Sequence, residues 1–421
     1  MNISSVWQSR LKALGPGLLW AGAAVGVSHL VQSTRAGANY GFALLWVVVV
    51  ANVFKYTAFE FGPRYAAAMG ESLLDGYQRV GKWALVAFLI PTFGTMFVLQ
   101  AAVTIVTAGL ASKIFGTSMS PLTWSAVILA VCAGVLTIGK YRVLDKLIKI
   151  IIVILSISTI VAVVTAFGHG SSAKVDFVPP QLWNVAGVSF MVALIGWMPS
   201  AIDISVWHSL WTIERRKETG SAPSLADSLF DFRLGYFGTG ILALGFLSLG
   251  GLIMYGTGES FSPAGSKFAG QFITLYTSTL GSWSYPVVAI AALTTMFSTT
   301  LTVTDAFPRV LKRSTELVFP NRYAGRDDRS LYWIWLVIVL GGSLVIIGLF
   351  MSGMTMLVDL ATTLAFLTAP ILAYINYRAV TGPWMPDEGR PGPKLLLFNW
   401  VSMVFLAGFA LFFLIWRFIL N

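Results

Sequence analysis

The sequence predicts an all-α integral membrane protein of about eleven transmembrane helices, built as two inverted five-helix repeats in which helices one and six are broken. Three observations carry this. Of 421 residues, 11% are charged and 56% hydrophobic, whereas soluble domains carry roughly 25% charged residues. The apolar residues gather in runs long enough to cross a bilayer, which takes about 20 residues as a helix. Two of the runs, five segments apart, are interrupted by glycine, proline and polar residues, and paired interruptions of this kind are a device of inverted-repeat transporters.

The first segment runs from Pro16 to Thr34, and Gly22, Gly26, Ser28, His29, Gln32, Ser33 and Arg35 fall from the bilayer midplane outward. Such residues are tolerated in hydrocarbon only where they face protein or a water-filled cavity. The second segment is Phe42 to Phe61, the third Trp83 to Leu110, the fourth Leu122 to Ile138 and the fifth Leu147 to Phe167. The sixth, Val185 to Trp211, is punctuated by Gly196 and Pro199, with Ser200, Asp203 and His208 following; proline removes a backbone donor and breaks the helix ahead of it. The seventh is Leu234 to Met254, the eighth Tyr285 to Val310, the ninth Leu331 to Phe350, the tenth Met356 to Tyr377 and the eleventh Leu395 to Ile419. The chain is read as one transporter domain over 1–421, with a first repeat over 16–168, a second over 184–378 and an additional helix over 395–419.

Loop charge sets the orientation. With the N-terminus in the cytoplasm, Arg10, Lys12, Arg64, Lys140, Arg215, Arg313, Arg326, Arg390 and most other cations fall on the cytoplasmic side, against Lys113, Lys174, Lys267 and Arg417 on the other. Positive charge collects in cytoplasmic loops, so the net charge of +10 is a topology signal and not a sign of nucleic-acid binding. The expected setting is a prokaryotic plasma membrane, N-terminus inside and C-terminus outside. Cys132, the one cysteine, lies in an apolar run and is read as packed core. The first residues carry no cleavage-site pattern, so the first apolar run is expected to be retained.

His29 is the leading candidate for a ligand or pH-sensing group, because it lies in the first break and the chain has 3 histidines in all. Asp203 and Asp305 are ionisable groups inside segments, where a functional role or a structural partner such as Arg35 is expected. Glu60, Lys55 and Arg64 are read as a local ion-pair or anchor group. Trp197 narrows the space beside Met198.

These two broken segments resemble the NRAMP family of divalent-metal transporters, which share the architecture of the bacterial leucine transporter. The resemblance rests on GPG at Gly15 to Gly17, AGANYGFALLW at Ala36 to Trp46, the Met198-Pro199 pair and His208-Ser209, with weaker echoes at Ser298 to Phe307 and at Leu357 to Pro370, which holds Thr368. In the family a DPGN motif supplies an aspartate and an asparagine to the metal; the same places here hold Gly26, Val27, Ser28 and His29. The family's carbonyl and methionine ligands match Ile195 and Met198, so His29 and Met198 are the side chains left for a metal. Arg35 stands where the family has glutamine, Ser200 and His208 match two family histidines, and no acid lies between Trp83 and Leu110, where the family carries proton-moving carboxylates. The resemblance implies a substrate site of Gly26, Val27, Ser28, His29, Ile195, Trp197, Met198, Asp305 and Thr368, with Arg35, Asp203 and His208 in coupling or gating.

Two functions follow. The resemblance implies alternating-access transport of a divalent cation; a dehydrated site without a carboxylate is poor for Mn²⁺ or Fe²⁺, although a hydrated Mg²⁺ keeps its waters. The alternative keeps the scaffold and moves a small anion or other non-metal solute, held by His29, Arg35 and the positive ends of half-helices. A non-transporting sensor is a weaker third reading. No nucleophile–base pair or phosphate loop suggests an enzyme, and no cofactor is expected.

Overall fold

The computed structural model describes residues 15–138, 141–170, 172–174, 176–220, 224–323, 329–350 and 353–420. Arg10, Lys12, Lys140 and Arg326 of the charge tally lie outside them. Among the described residues every element is helical, with no strand. Each of the eleven segments forms a helix or a broken pair of helices. Among the described residues eight helical stretches are long and apolar enough to cross a membrane; the other three segments are the two broken ones and the fifth, whose apolar part, Val153–His169, is shorter.

The first segment is split into α1 (Pro16–Ala24), a π-helical stretch (Ser28–Ser33) and α2 (Thr34–Tyr40). The second is α3 (Leu45–Met69), followed by a short α4 (Leu73–Val80). Then come α5 (Lys82–Phe115), α6 (Pro121–Ile138) and α7 (Tyr141–His169). The sixth segment is split into α8 (Val185–Gly196) and α9 (Ile204–Thr219). It is followed by α10 (Leu225–Ile253), α11 (Gly265–Leu280), α12 (Tyr285–Val318), the single turn α13 (Pro320–Tyr323), α14 (Arg329–Leu349), α15 (Met354–Thr381) and α16 (Pro393–Ile415).

The broken segments lie at the centre. α10 packs along α1, α2 and α3, while α15 packs against α5 and α8. α12 lies between α5 and α14. Cys132 is a buried packing residue, clustered with Ala108, Ala111, Trp124 and Ile128.

Hydropathy alone misses two features. α10 starts at Leu225 rather than Leu234, because the carboxylate of Asp231 has work inside the helix: it accepts from the Gly15 and Gly17 N–H groups at 3.2 and 2.6 Å. Those are the bare donors at the N-terminus of α1, where negative charge is favoured. α11 escapes a hydropathy reading because it is amphipathic, burying Phe268, Ala269, Phe272, Ile273, Leu275 and Tyr276 at helical spacing.

The cationic loops meet at one end of the bundle. There Arg79 pairs with Glu71 at 2.8 Å, Arg313 with Asp75 and with Glu316 at 2.9 Å, and Arg64 with Glu60 at 2.5 Å. The Arg64 guanidinium also reaches the Gly389 carbonyl at 3.2 Å, fastening the loop after α15 to α3.

Gly37 marks a close crossing of α2 and α10. A Cβ there would stand 1.9 Å from the Leu247 carbonyl oxygen on α10, which is backbone and unable to move aside. Gly134 on α6 has nothing within 4 Å of such a Cβ. Gly37→Ala is therefore expected to destabilise by about 1–3 kcal/mol or more, read as a lower melting midpoint of the detergent-solubilised protein. Gly134→Ala should leave the midpoint unchanged or raised; equal effects would overturn the crossing.

Candidate functional site

The first break spans Val25 to Val27. α1 ends when Val25 turns to ψ 64°, and the Gly26 N–H folds back on the Ala24 carbonyl at 2.8 Å. The Gly26 carbonyl then accepts from both His29 and Leu30 N–H, at 3.1 and 2.9 Å, starting the π-helical turn. π-turns are common at functional sites.

His29 is fully buried and turned toward α10. Its Nε2 lies 2.9 Å from the Thr239 carbonyl, which can only accept, so the proton sits on Nε2. Nδ1 lies 2.8 Å from the Ser28 hydroxyl, whose oxygen is 2.5 Å from the Ala24 carbonyl. The backbone thus holds Nε2, and Nδ1 lies against the Ser28 hydroxyl. Met198 is buried in a separate apolar cluster with Ala36, Val47, Val192 and Phe366. Among the described residues no three of His, Cys, Asp or Glu form a group able to hold a metal.

The second break spans Trp197 to Asp203. α8 closes at Gly196, where a Cβ would lie 1.8 Å from the Thr362 carbonyl on α15, so only glycine lets the two backbones meet. The last carbonyls of a helix lack intrahelical partners and carry partial negative charge. Lys55 of α3 answers them. Its Nζ donates to the carbonyls of Ile195 at 2.6 Å, Gly196 at 2.7 Å and Ser200 at 2.9 Å, and the residue is 0% exposed. Of the local ion-pair group expected from Glu60, Lys55 and Arg64, the Glu60–Arg64 pair forms and Lys55 stands outside it. Glu60 turns to Arg64 and, at 3.6 Å, to Arg233. Five residues rotate a helix by about 140° beyond one full turn, so Lys55 and Glu60 face different neighbours.

Two cavities flank the breaks. The first has a volume of about 30 Å³, room for about one water, and is lined by Ala23, Ala24, Val27 and Ser28 of the first break, Trp197, Ser200, Ala201, Ile204 and Trp207 of the second, Leu99 and Val103 of α5, and Thr299 and Val303 of α12. Its lining holds no acid, base, cysteine or methionine. Trp197 and Trp207 are 5% and 1% exposed, and among the described residues their indole N–H groups have no acceptor. The second cavity, about 10 Å³, lies between α5, α15 and the second break and is lined by Thr92, Thr95, Asp203 and Thr368 with apolar neighbours. The Oδ1 of Asp203 is buried there without a partner among the described residues.

The structure distributes the remaining candidates. Arg35 pairs with Asp359, and not with Asp203 or Asp305: two bonds, 2.7 and 3.1 Å, join α2 to α15. Gln32 donates to the same carboxylate at 3.0 Å and accepts from Arg35 at 2.9 Å. Asp305 is held by Arg309 at 2.6 Å and by the Tyr332 hydroxyl at 2.8 Å, and lines neither cavity. His208 is buried beside the Phe232 ring, with Nδ1 unbonded among the described residues. Gly26 abuts Thr299. So Val27, Ser28 and Trp197 meet at the first cavity, Asp203 and Thr368 at the second, and Ile195 offers its carbonyl to Lys55. Sequence reasoning missed Trp207, Thr299 and the reach of Lys55. A lone charge in the middle of an apolar segment was the available signal for Lys55.

The chain matches the model of the family described as natural resistance-associated macrophage protein-like (Nramp) over residues 17–416. It is 37% identical to an uncharacterized protein of Pasteurella multocida, over 97% of this chain and 93% of that one. It is 22% identical to the metal transporter Nramp6.1 of Populus trichocarpa, over 97% and 74%. In fold it is similar to the manganese transporter of Eremococcus coleocola, with a TM-score of 0.70 at 15% identity over 100% of this chain and 90% of that one. It is also similar to MhsT in complex with L-phenylalanine, with a TM-score of 0.60 at 14% identity over 95% and 97%. With the family model covering nearly its whole length and the fold of the manganese transporter around its two broken segments, this chain belongs to the Nramp family.

Proposed function

We propose that the chain is a secondary transporter working by alternating access in the plasma membrane, N-terminus cytoplasmic and C-terminus opposite, and that it carries a small solute rich in hydrogen-bond acceptors, an anion or a polar organic molecule, instead of a bare transition-metal ion. The observation that carries this reading is the first cavity: it sits between the two breaks, has no carboxylate in its lining, and is lined by two tryptophans whose buried indole N–H groups have no acceptor among the described residues. A dehydrated divalent ion needs anionic or strongly donating oxygens. A solute with carbonyl or carboxylate oxygens needs donors and an apolar wall. The carbonyl that the family resemblance assigns to the metal, at Ile195, is already taken by Lys55. Scaffold alone does not set the substrate: one similar structure is a manganese transporter and another holds L-phenylalanine.

A second reading, transport of a hydrated divalent cation such as Mg²⁺, is favoured by the second cavity. The unpartnered carboxylate oxygen of Asp203 and the hydroxyl-bearing Thr92, Thr95 and Thr368 line it, which suits outer-sphere contact with a cation that keeps its waters. Uptake into proteoliposomes of Mn²⁺, Mg²⁺, bicarbonate-like anions and amino acids separates the readings. The first reading predicts uptake among the anions or amino acids. For that solute, Trp197→Phe and Trp207→Phe should each raise the half-saturating concentration about 5- to 30-fold, the cost of one lost hydrogen bond in a dry site. Saturable Mn²⁺ or Mg²⁺ uptake indifferent to both substitutions would overturn the first reading.

Alternating access also needs a contact that breaks. The Arg35–Asp359 pair joins the second half of the first segment to α15, with 12% and 37% side-chain exposure. Asp359→Asn, in a Cys132→Ala background carrying Ser28→Cys, should increase labelling of position 28 by a membrane-impermeant maleimide severalfold. An unchanged labelling rate would remove this pair from the gate.

A further inference from the structure

We infer that the break of the sixth segment is a monovalent-cation seat whose permanent occupant is the Lys55 ammonium, a cation tethered to the protein in place of a mobile ion. Three carbonyl oxygens, those of Ile195, Gly196 and Ser200, converge on one point at 2.6, 2.7 and 2.9 Å. An ammonium has three N–H donors and no acceptor, so donor and acceptor numbers match. The two carbonyls from the end of α8 also carry the negative end of its dipole. All three distances exceed the roughly 2.0–2.1 Å of Mg²⁺ to oxygen, and two of them exceed the roughly 2.3–2.6 Å of Ca²⁺. The cage is therefore sized for an ammonium or a large monovalent ion, not for a dehydrated divalent one.

The surroundings agree. Asp203, at the far side of the same break, is the carboxylate that acts electrostatically on Lys55. It is not part of the cage, which is made of backbone alone. Glu60, on the same helix, is engaged by Arg64 and Arg233. Lys55 reaches the cage from α3, a different element, and so ties α3 to both flanks of the break. The positive charge that neutralises these carbonyls travels with the protein, and the break is held in shape without any dissolved cation. This inference concerns the resting scaffold and stands whichever solute the first cavity carries.

The test removes the tether and offers a free cation to the purified full-length protein in detergent. Lys55→Ala vacates the seat. Its melting midpoint should fall below that of the wild type in choline chloride. It should then climb by about 2 °C for each tenfold rise in methylammonium chloride, as ligand linkage requires. The wild type should not respond. Lys55→Gln, which keeps two N–H donors and loses the charge, should stay below wild type in every salt. A Lys55→Ala midpoint that moves equally with choline and methylammonium, or a Lys55→Gln variant as stable as the wild type, overturns the inference. If Lys55→Ala yields no folded protein in choline, recovery of a monodisperse protein in methylammonium supports the seat, and failure in both overturns it.

Discussion

Backbone groups in hydrocarbon have no water to bond, and the two broken segments leave such groups bare at the centre of the molecule. Each unsatisfied buried group costs about 1–3 kcal/mol, so breaks of this length survive only where the protein supplies every partner. The arrangement of the rest follows from that requirement. Asp231 comes from α10 to cap the donors of α1. The Gly26 carbonyl gathers two N–H groups to restart the first segment. Lys55 comes from α3 to close three carbonyls of the sixth. Burying an ammonium costs several kcal/mol, which a single carbonyl would not offset. Three short bonds at the negative end of a helix do.

These partners also narrow the chemistry. In the metal-carrying pattern that the sequence resembles, the same breaks present an anionic first segment and an open carbonyl in the sixth. Here the first break presents glycine, valine and serine, and its histidine is turned away to Thr239. In the sixth, the carbonyl is occupied by a charge the protein brings itself. The unpartnered indole N–H groups of Trp197 and Trp207 point the same way, since an N–H without an acceptor is a poor neighbour for a cation and a ready one for a carboxylate.

Much of the fold was legible because hydrophobic length and loop charge are strong signals in membranes. All eleven segments and both breaks could be read from residue types, and the resemblance to a family came from short runs flanking the breaks. Element ends were less legible. α10 runs past its apolar stretch because Asp231 caps another helix, a tertiary reason that hydropathy does not register. α11 looked like loop because half of each turn faces polar surroundings. In the site, positions in the breaks could be named, but not the directions of their side chains. His29 and Val27 are two residues apart in one irregular turn, and only the course of the backbone decides that Val27 lines the cavity while His29 meets α10. Sequence groups Lys55 with Glu60 and Arg64 as a local ion-pair or anchor set, whereas its partners are carbonyls from a segment 140 residues on.

The Arg35–Asp359 contact completes the physical picture. Both broken segments touch α15: Arg35 bonds to it beyond the first break, and Gly196 packs on its backbone at the second. α15 thus reads the position of both breaks at once. The two contacts differ in kind. Gly196 against Thr362 is backbone on backbone, close enough that no side chain fits, and acts as a fixed pivot. Arg35 to Asp359 is a partly exposed ion pair, whose strength water and salt reduce. A helix fixed by packing at one point and by an exchangeable ion pair at another has an obvious way to move. In the alternating-access cycle proposed above, the ion pair is the contact that would open while the packed crossing holds.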